Sequence, residues 1–151
     1  MNGAAPESSP EEPRQASEST SLRRVLIVDD NVDAAAMLSE CLELSGHCVR
    51  LAHDGPSALE AVLQFEPEVV LLDIGLPGMD GYEVATRLRQ QFSRNELLLI
   101  AVTGYGTAEV RRRCLEVGID HHLIKPANPD QLESILFSSR PPCDAHLILP
   151  T

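Results

Sequence analysis

Val69-Val70-Leu71-Leu72-Asp73-Ile74-Gly75-Leu76-Pro77-Gly78-Met79-Asp80-Gly81 is the stretch on which the fold turns. Four apolar residues in a row, two of them β-branched, suit a strand buried on both faces. A carboxylate, Asp73, stands where the run stops, and a loop rich in glycine and proline follows. The same form occurs upstream, where Val25-Leu26-Ile27-Val28 runs into Asp29-Asp30.

Between and beyond these strands the periodicity changes to that of helices. Met37, Leu38, Cys41, Leu42 and Leu44 recur at helical spacing, and Gly46 is placed to end that helix. Cys48, Val49 and Leu51 predict the second strand. Ala58, Leu59, Val62 and Leu63 predict a second helix, closed by Pro67. After the central strand, Tyr82, Val84, Ala85 and Leu88 predict a third helix, and Leu97 to Val102 a fourth strand ending at Thr103. Val110, Cys114, Leu115 and Val117 predict the fourth helix, stopped at Gly118. Leu123-Ile124 forms a short fifth strand that ends at Lys125-Pro126, and Leu132, Ile135 and Leu136 a fifth helix. Strands alternating with helices give an α/β fold, a doubly wound five-stranded parallel sheet covered on both faces.

The flanks read differently. Residues 1–22 hold three prolines, five serines and one Arg against four Glu, a composition that cannot bury enough surface to order itself. Residues 140–151 carry three more prolines and are expected to leave the fold as an irregular tail, with Leu147-Ile148-Leu149 free to dock. Residues 23–139 are therefore the expected domain. The whole chain of 151 residues carries a net charge of −11, which argues against a nucleic-acid partner needing a basic patch. Aromatics are 3% and Trp is absent, so base-stacking platforms are not expected. No apolar run is long enough to span a bilayer, and no signal-peptide pattern opens the chain, so neither membrane insertion nor secretion is expected. The four cysteines show no metal spacing and read as reduced thiols, some in the core.

In open parallel sheets, ligands bind beyond the carboxyl ends of the strands. That rule selects Asp29, Asp30, Asp73, Thr103 and Lys125, all on one edge. Three carboxylates on one rim repel, each contacting pair at a cost on the order of 4 kcal/mol at an effective dielectric near 20. A hard divalent cation with oxygen ligands offsets that repulsion. Lys125 adds a point positive charge and Thr103 a hydroxyl donor. A carboxylate nucleophile, a metal, a lysine and a hydroxyl together make a phosphoryl-transfer site built on charge stabilisation.

Asp29-Asp30-Asn31, the stretch Leu72 to Gly81, Thr103-Gly104-Tyr105 and Lys125-Pro126 stand in order at consecutive strand ends. In these the chain resembles the receiver domain of two-component response regulators, over about residues 23–138. The resemblance implies a flavodoxin-like (βα)5 sheet in strand order 2-1-3-4-5. It implies that Asp73 is the phosphoacceptor, charged by a histidine kinase or a histidine phosphotransfer protein. Asp30 and Asp73 would ligate Mg²⁺ (or Mn²⁺), Asp29 would help directly or through water, and the Gly75 backbone carbonyl would complete the set. Lys125 would pair with the phosphoryl group, Thr103 would be the switch hydroxyl, and Lys125-Pro126 a cis peptide. The same resemblance implies a cytoplasmic signalling module that is not an enzyme beyond its own phosphorylation and dephosphorylation. Its output would be a contact with a downstream protein, through the fourth helix, fifth strand and fifth helix, and a homodimer is compatible with it. No DNA-binding output domain is expected after residue 139. The family usually has Tyr or Phe three residues before the lysine. Here that switch position is His122, a residue that titrates near neutrality.

Simpler readings exist for each motif. Asp29-Asp30 could be a solvated turn and helix cap. Gly75 to Gly81 could be only a flexible loop, and Lys125-Pro126 only a strand end. His121-His122 on one strand point to opposite faces, which predicts one surface and one packed histidine. His47, His53 and His146 lack ligand spacing and read as surface residues, and Arg111-Arg112-Arg113 as the solvated face of the fourth helix. Two other functions compete with the receiver. One is a pseudo-receiver scaffold that is never phosphorylated. The other is a haloacid-dehalogenase-type Mg²⁺-dependent phosphohydrolase, which places its nucleophile in a D-x-D pattern on strand one, where this chain has adjacent aspartates.

Overall fold

The computed structural model describes residues 22–138. The expectations for the flanking segments, including Cys143, His146 and Leu147 to Leu149, lie outside the described residues. Strands and helices alternate as β1 (Arg24–Val28), α1 (Val32–Leu44), β2 (Cys48–Ala52), α2 (Gly55–Phe65), β3 (Val69–Asp73), α3 (Gly81–Gln91), β4 (Leu98–Thr103), α4 (Ala108–Glu116), β5 (His121–Ile124) and α5 (Pro129–Ser138). The five strands form one sheet in the order β2-β1-β3-β4-β5, and every pairing is parallel.

Period-two alternation builds two cores from the same strands. Leu26, Val28, Val70, Leu72, Leu99 and Ala101 point to one face, where Ala58 and Val62 of α2, Val84, Ala85 and Leu88 of α3 and Cys114 of α4 cover them. Val25, Ile27, Val69, Leu71, Ile100 and Val102 point to the other, under Ala35 and Leu42 of α1 and Leu132 and Leu136 of α5. The apolar runs at 25–28 and 69–72 are therefore unbroken because both of their faces are buried.

Four helices start on a side-chain cap. The side chains of Asn31, Asp54, Asp80 and Thr107 accept the backbone N–H of Ala34, Ser57, Glu83 and Val110. The Asn31, Asp54 and Thr107 caps follow their strands within a few residues, and Asp80 follows β3 after the longer loop that holds Gly75 and Pro77, so local chemistry fixes where each helix starts at the carboxyl edge.

The structure corrects the reading of α1. Its buried residues are Ala35, Ser39 and Leu42, while Met37 and Leu44 are 68% and 89% exposed and Cys41 is exposed. Positions 35, 39 and 42 lie on one face and 37, 41 and 44 on another. The packed face carries Ala35 and Ser39 beside Leu38 and Leu42, so hydrophobicity alone did not mark its phase. Leu63 and Leu115 are likewise exposed at 63% each.

The histidines need correction too. His47 is buried: its Nδ1 accepts the Arg23 N–H at 3.0 Å and its Nε2 lies 2.9 Å from Glu133 Oε1. His53 is half-buried, with Nδ1 2.9 Å from the Asp29 carbonyl oxygen. His121 and His122 are both half-buried, since β5 is the edge strand and neither of its faces is fully covered. Arg111, Arg112 and Arg113 are exposed as expected, with Arg113 lying 4.2 Å over the Tyr82 ring. Cys114 is buried, whereas Cys41 and Cys48 are exposed. Among the described residues no helix is long and apolar enough to cross a membrane.

Candidate functional site

The carboxyl ends of β1, β3, β4 and β5 meet at one edge, and backbone bonds that extend the sheet past its strands hold them there. The Asp29 N–H donates to Ala52 O, the Ile74 N–H to Val102 O and the Lys125 N–H to Thr103 O. Each selected polar residue therefore stands on, or one step beyond, the hydrogen-bonded sheet. Lys125-Pro126 is a cis peptide, as the resemblance implied.

Asp73 is 5% exposed. Its Oδ1 accepts the Gly75 N–H at 2.9 Å, and its Oδ2 accepts from Lys125 Nζ at 2.8 Å. Lys125 Nζ also lies 3.8 Å from Asp29 Oδ2. Burial alone would lower the pKa of Lys125, but its hydrogen bond to Asp73 and the charges of Asp73, Asp29 and Asp30 hold it above the ordinary lysine value. Burial raises the pKa of Asp29 above the usual carboxylate range. The Asn31 N–H and Lys125 oppose that rise, and Asp73 adds to it.

One carboxylate oxygen from each of Asp29, Asp30 and Asp73 lies within 4.8 Å of the others. An all-oxygen, acidic donor set fits a hard divalent cation, and the buried Asp73 and half-buried Asp29 sharing one lysine carry more negative charge than that lysine offsets. Thr103 is also 5% exposed, and its Oγ1 accepts the Tyr105 N–H at 3.2 Å. Gly81 closes the loop behind Asp73. A Cβ there would meet Asp73 O at 2.6 Å and the Ile74 Cα at 2.7 Å, so only glycine lets the start of α3 approach β3 this closely.

A cavity of about 520 Å³ opens beside the cluster. Asp29, Asp73 and Lys125 form its polar end, and Met37, Leu38 and Cys41 of α1 with Pro126 form its apolar wall. The structure thus brings together Asp29, Asp30, Asp73, Thr103 and Lys125, with Gly75 bonded to Asp73 through its N–H. His122 stands apart from the carboxylates, paired in register with Ala101 on β4. Sequence reasoning missed His53 and Met37. His53 follows β2, so the strand-end rule would have found it, had β2 been included. Met37 left no signal beyond its hydrophobicity, which pointed to the core.

Residues 25–137 match the model of the response regulator receiver domain. The transcriptional regulatory protein TcrA of Mycobacterium tuberculosis is 38% identical over 109 residues, which are 72% of this chain and 42% of TcrA. The sensor histidine kinase RcsC of Salmonella typhi is 36% identical over 112 residues, 74% of this chain and 12% of that protein. In the solved structure of the chemotaxis response regulator CheY4 of Vibrio cholerae, the identity is 30% and the TM-score 0.70, over 76% of this chain and 96% of that one. The chain spans less than half of the length of relatives such as TcrA. Receivers of this kind are signalling phosphoacceptors of two-component systems that bind Mg²⁺ at an acidic pocket and interact with histidine kinases. With the match running over most of its length on a sheet of the same order, the chain belongs to the response regulator receiver domain family.

Proposed function

We propose that this chain is a phosphorylatable receiver in which Asp73 takes a phosphoryl group from a phosphohistidine donor, a histidine kinase or a histidine phosphotransfer protein. The observation that carries this reading is the setting of Asp73. It is buried, bonded to Lys125 Nζ at 2.8 Å, and within 4.8 Å of Asp29 and Asp30 at the floor of a cavity.

A carboxylate oxygen of Asp73 forms the new bond to phosphorus. The P–N bond breaks, and its electron pair returns to the donor imidazole, which takes up a proton. Lys125, already charged, turns from Asp73 to the phosphoryl oxygens. Asp29, Asp30, Asp73 and the Gly75 carbonyl would hold Mg²⁺ or Mn²⁺, which would neutralise charge on the transferring group. The Thr103 hydroxyl donates to the arriving phosphoryl group and gives up the Tyr105 N–H. His122 occupies the neighbouring switch position on β5.

The output is a protein contact through the α4–β5–α5 face, where Leu115, Ile124 and Phe137 are exposed. We place the chain in the cytoplasm, without a nucleic-acid or membrane partner of its own, active on no substrate but itself, and able to form a homodimer. The test is peptide mapping after incubation with acetyl phosphate and Mg²⁺. The added phosphoryl mass is expected on the peptide that holds Asp73. The same mass on the peptide holding Asp29-Asp30 would overturn the assignment.

A further inference from the structure

The acidic cluster is built from residues that follow β1 and from the end of β3 and its loop, and the turn after β2 contributes none of them. That turn nevertheless touches both walls of the cluster. On one side, consecutive residues hold both backbone polar groups of Asp29. The Asp29 N–H donates to Ala52 O at 3.0 Å. The half-buried His53 lies with Nδ1 2.9 Å from Asp29 O. A carbonyl oxygen only accepts, so the ring proton sits on Nδ1 and is donated to it.

On the other side the same turn meets the loop between β3 and α3. Asp54 caps α2 by accepting the Ser57 N–H at 2.8 Å, which sets the buried Gly55 at the first position of the helix. The half-buried Met79 fills the notch left by the missing side chain. A Cβ on Gly55 would fall 2.8 Å from Met79 Cβ and Sδ and 3.0 Å from its Cγ. The sulfur end of Met79 can swing aside, but its Cβ moves only with the loop backbone. That loop is fastened at its start by the Gly75 N–H on Asp73 Oδ1, and at its end by the Gly81 N–H on Ile74 O at 3.0 Å. Between these ends it rests on the core through Leu76 and on α2 through Met79. His53, Asp54 and Gly55 therefore brace the Asp29 backbone against the loop that carries Gly75.

Groups that orient ligands without binding the metal tune its affinity strongly. Mg²⁺ is small and demands near-ideal octahedral placement of its oxygens, whereas Ca²⁺ is larger and tolerates a variable, flexible set. A rigid spacing between the two walls thus matters to the first cation more than to the second.

We propose that the His53–Gly55 turn is a positioning element of the acidic cluster: it fixes the spacing of the Asp29 wall from the Gly75 loop and so favours Mg²⁺ over Ca²⁺. The proposal rests on the reading of Asp29, Asp30, Asp73 and the Gly75 carbonyl as the cation's ligands, and gives the turn a part that this reading does not.

The experiment is calorimetric titration of the full chain with Mg²⁺ and with Ca²⁺ at one neutral pH. Chemical denaturation and the backbone amide NMR spectrum of the metal-free protein are recorded alongside. Gly55→Ala should lower Mg²⁺ affinity by about tenfold and Ca²⁺ affinity less, so that the ratio of the two falls. Met79→Ala and His53→Ala should lower the ratio in the same direction. Gly55→Ala and Met79→Ala act through one contact, so the double variant should fall short of the sum of the singles. In the metal-free spectrum, Gly55→Ala should shift the Gly75 and Gly78 amides. Leu63→Ser, at an exposed position of the same helix, should leave the ratio and these amides unchanged. Equal loss of affinity for both cations overturns the proposal, because it marks a structural role alone. An unchanged ratio, or a Gly75 amide that ignores Gly55→Ala, overturns it too. Should Gly55→Ala not fold, Met79→Ala and His53→Ala carry the decision. A wild type that binds neither cation fails the ligand reading by itself, and the metal-free amides still decide whether the turn braces the loop.

Discussion

Asp73 and Asp29 are both carboxylates within reach of Lys125, yet their surroundings ask different things of them. Asp73 has each oxygen held, by the Gly75 N–H and by Lys125 Nζ. Lys125→Ala removes one of these partners from a buried acceptor, at an expected cost of about 1–3 kcal/mol. The fold should survive in chemical denaturation, the response to phosphorylation should be lost, and added Mg²⁺ should recover part of the stability. Asp29 behaves in the opposite sense. Its raised pKa means that the folded protein binds a proton there more tightly than the unfolded chain does. Its stabilising contribution is present in acid and lost as pH rises from the ordinary carboxylate range through the raised value. Asp29→Asn should therefore stabilise the metal-free protein at neutral pH, by up to about 1 kcal/mol, while weakening Mg²⁺ binding in calorimetry. These aspartates were legible in the sequence because each ends an apolar strand. His47 was not, since its partners, the Arg23 N–H and Glu133, are contributed by other elements.

At the scale of elements, the strands were read closely and the helices less so. A strand buried on both faces needs no phase, so Val25 to Val28 and Val69 to Leu72 could be placed from hydrophobicity alone. A helix needs its phase, and α1 offers two candidate faces. The structure predicts that Leu42→Ala, at a fully buried position, costs about 2–5 kcal/mol. Met37→Lys should leave the melting temperature within error, because Met37 lines the cavity beside the acidic cluster and not the core. Equal destabilisation by the two substitutions would show that the phase of α1 is wrong. At the start of α3, Gly81→Ala would push a methyl group against the backbone of Asp73 and Ile74. Its expected cost is about 1–3 kcal/mol, with a loss of Mg²⁺ affinity that a surface helix substitution would not cause.

Taken as a whole molecule, the sheet gathers residues from positions 29 to 125 at one edge and anchors the opposite edge by a separate device. There Arg23 and His47 are buried, Arg23 Nη2 donates to Leu136 O at 2.8 Å, and His47 reaches Glu133. This ties the start of β1 and the turn after α1 to α5. His47→Ala leaves the Arg23 N–H without its acceptor and should destabilise the domain by about 1–3 kcal/mol, with the acidic cluster unaffected in Mg²⁺ titration. Nothing in the spacing of single histidines signals such a clasp, whereas the parallel sheet followed from the alternation of periods alone. The proposed function depends on the other edge, where Asp73 lies bonded to Lys125 and near two further aspartates. The most direct measurement is the intact mass of the protein after acetyl phosphate treatment, with and without Mg²⁺, for wild type and Asp73→Asn. The account predicts the mass of one phosphoryl group, gained only with Mg²⁺ and only by the wild type. No gain in the wild type, or an equal gain in Asp73→Asn, would contradict it.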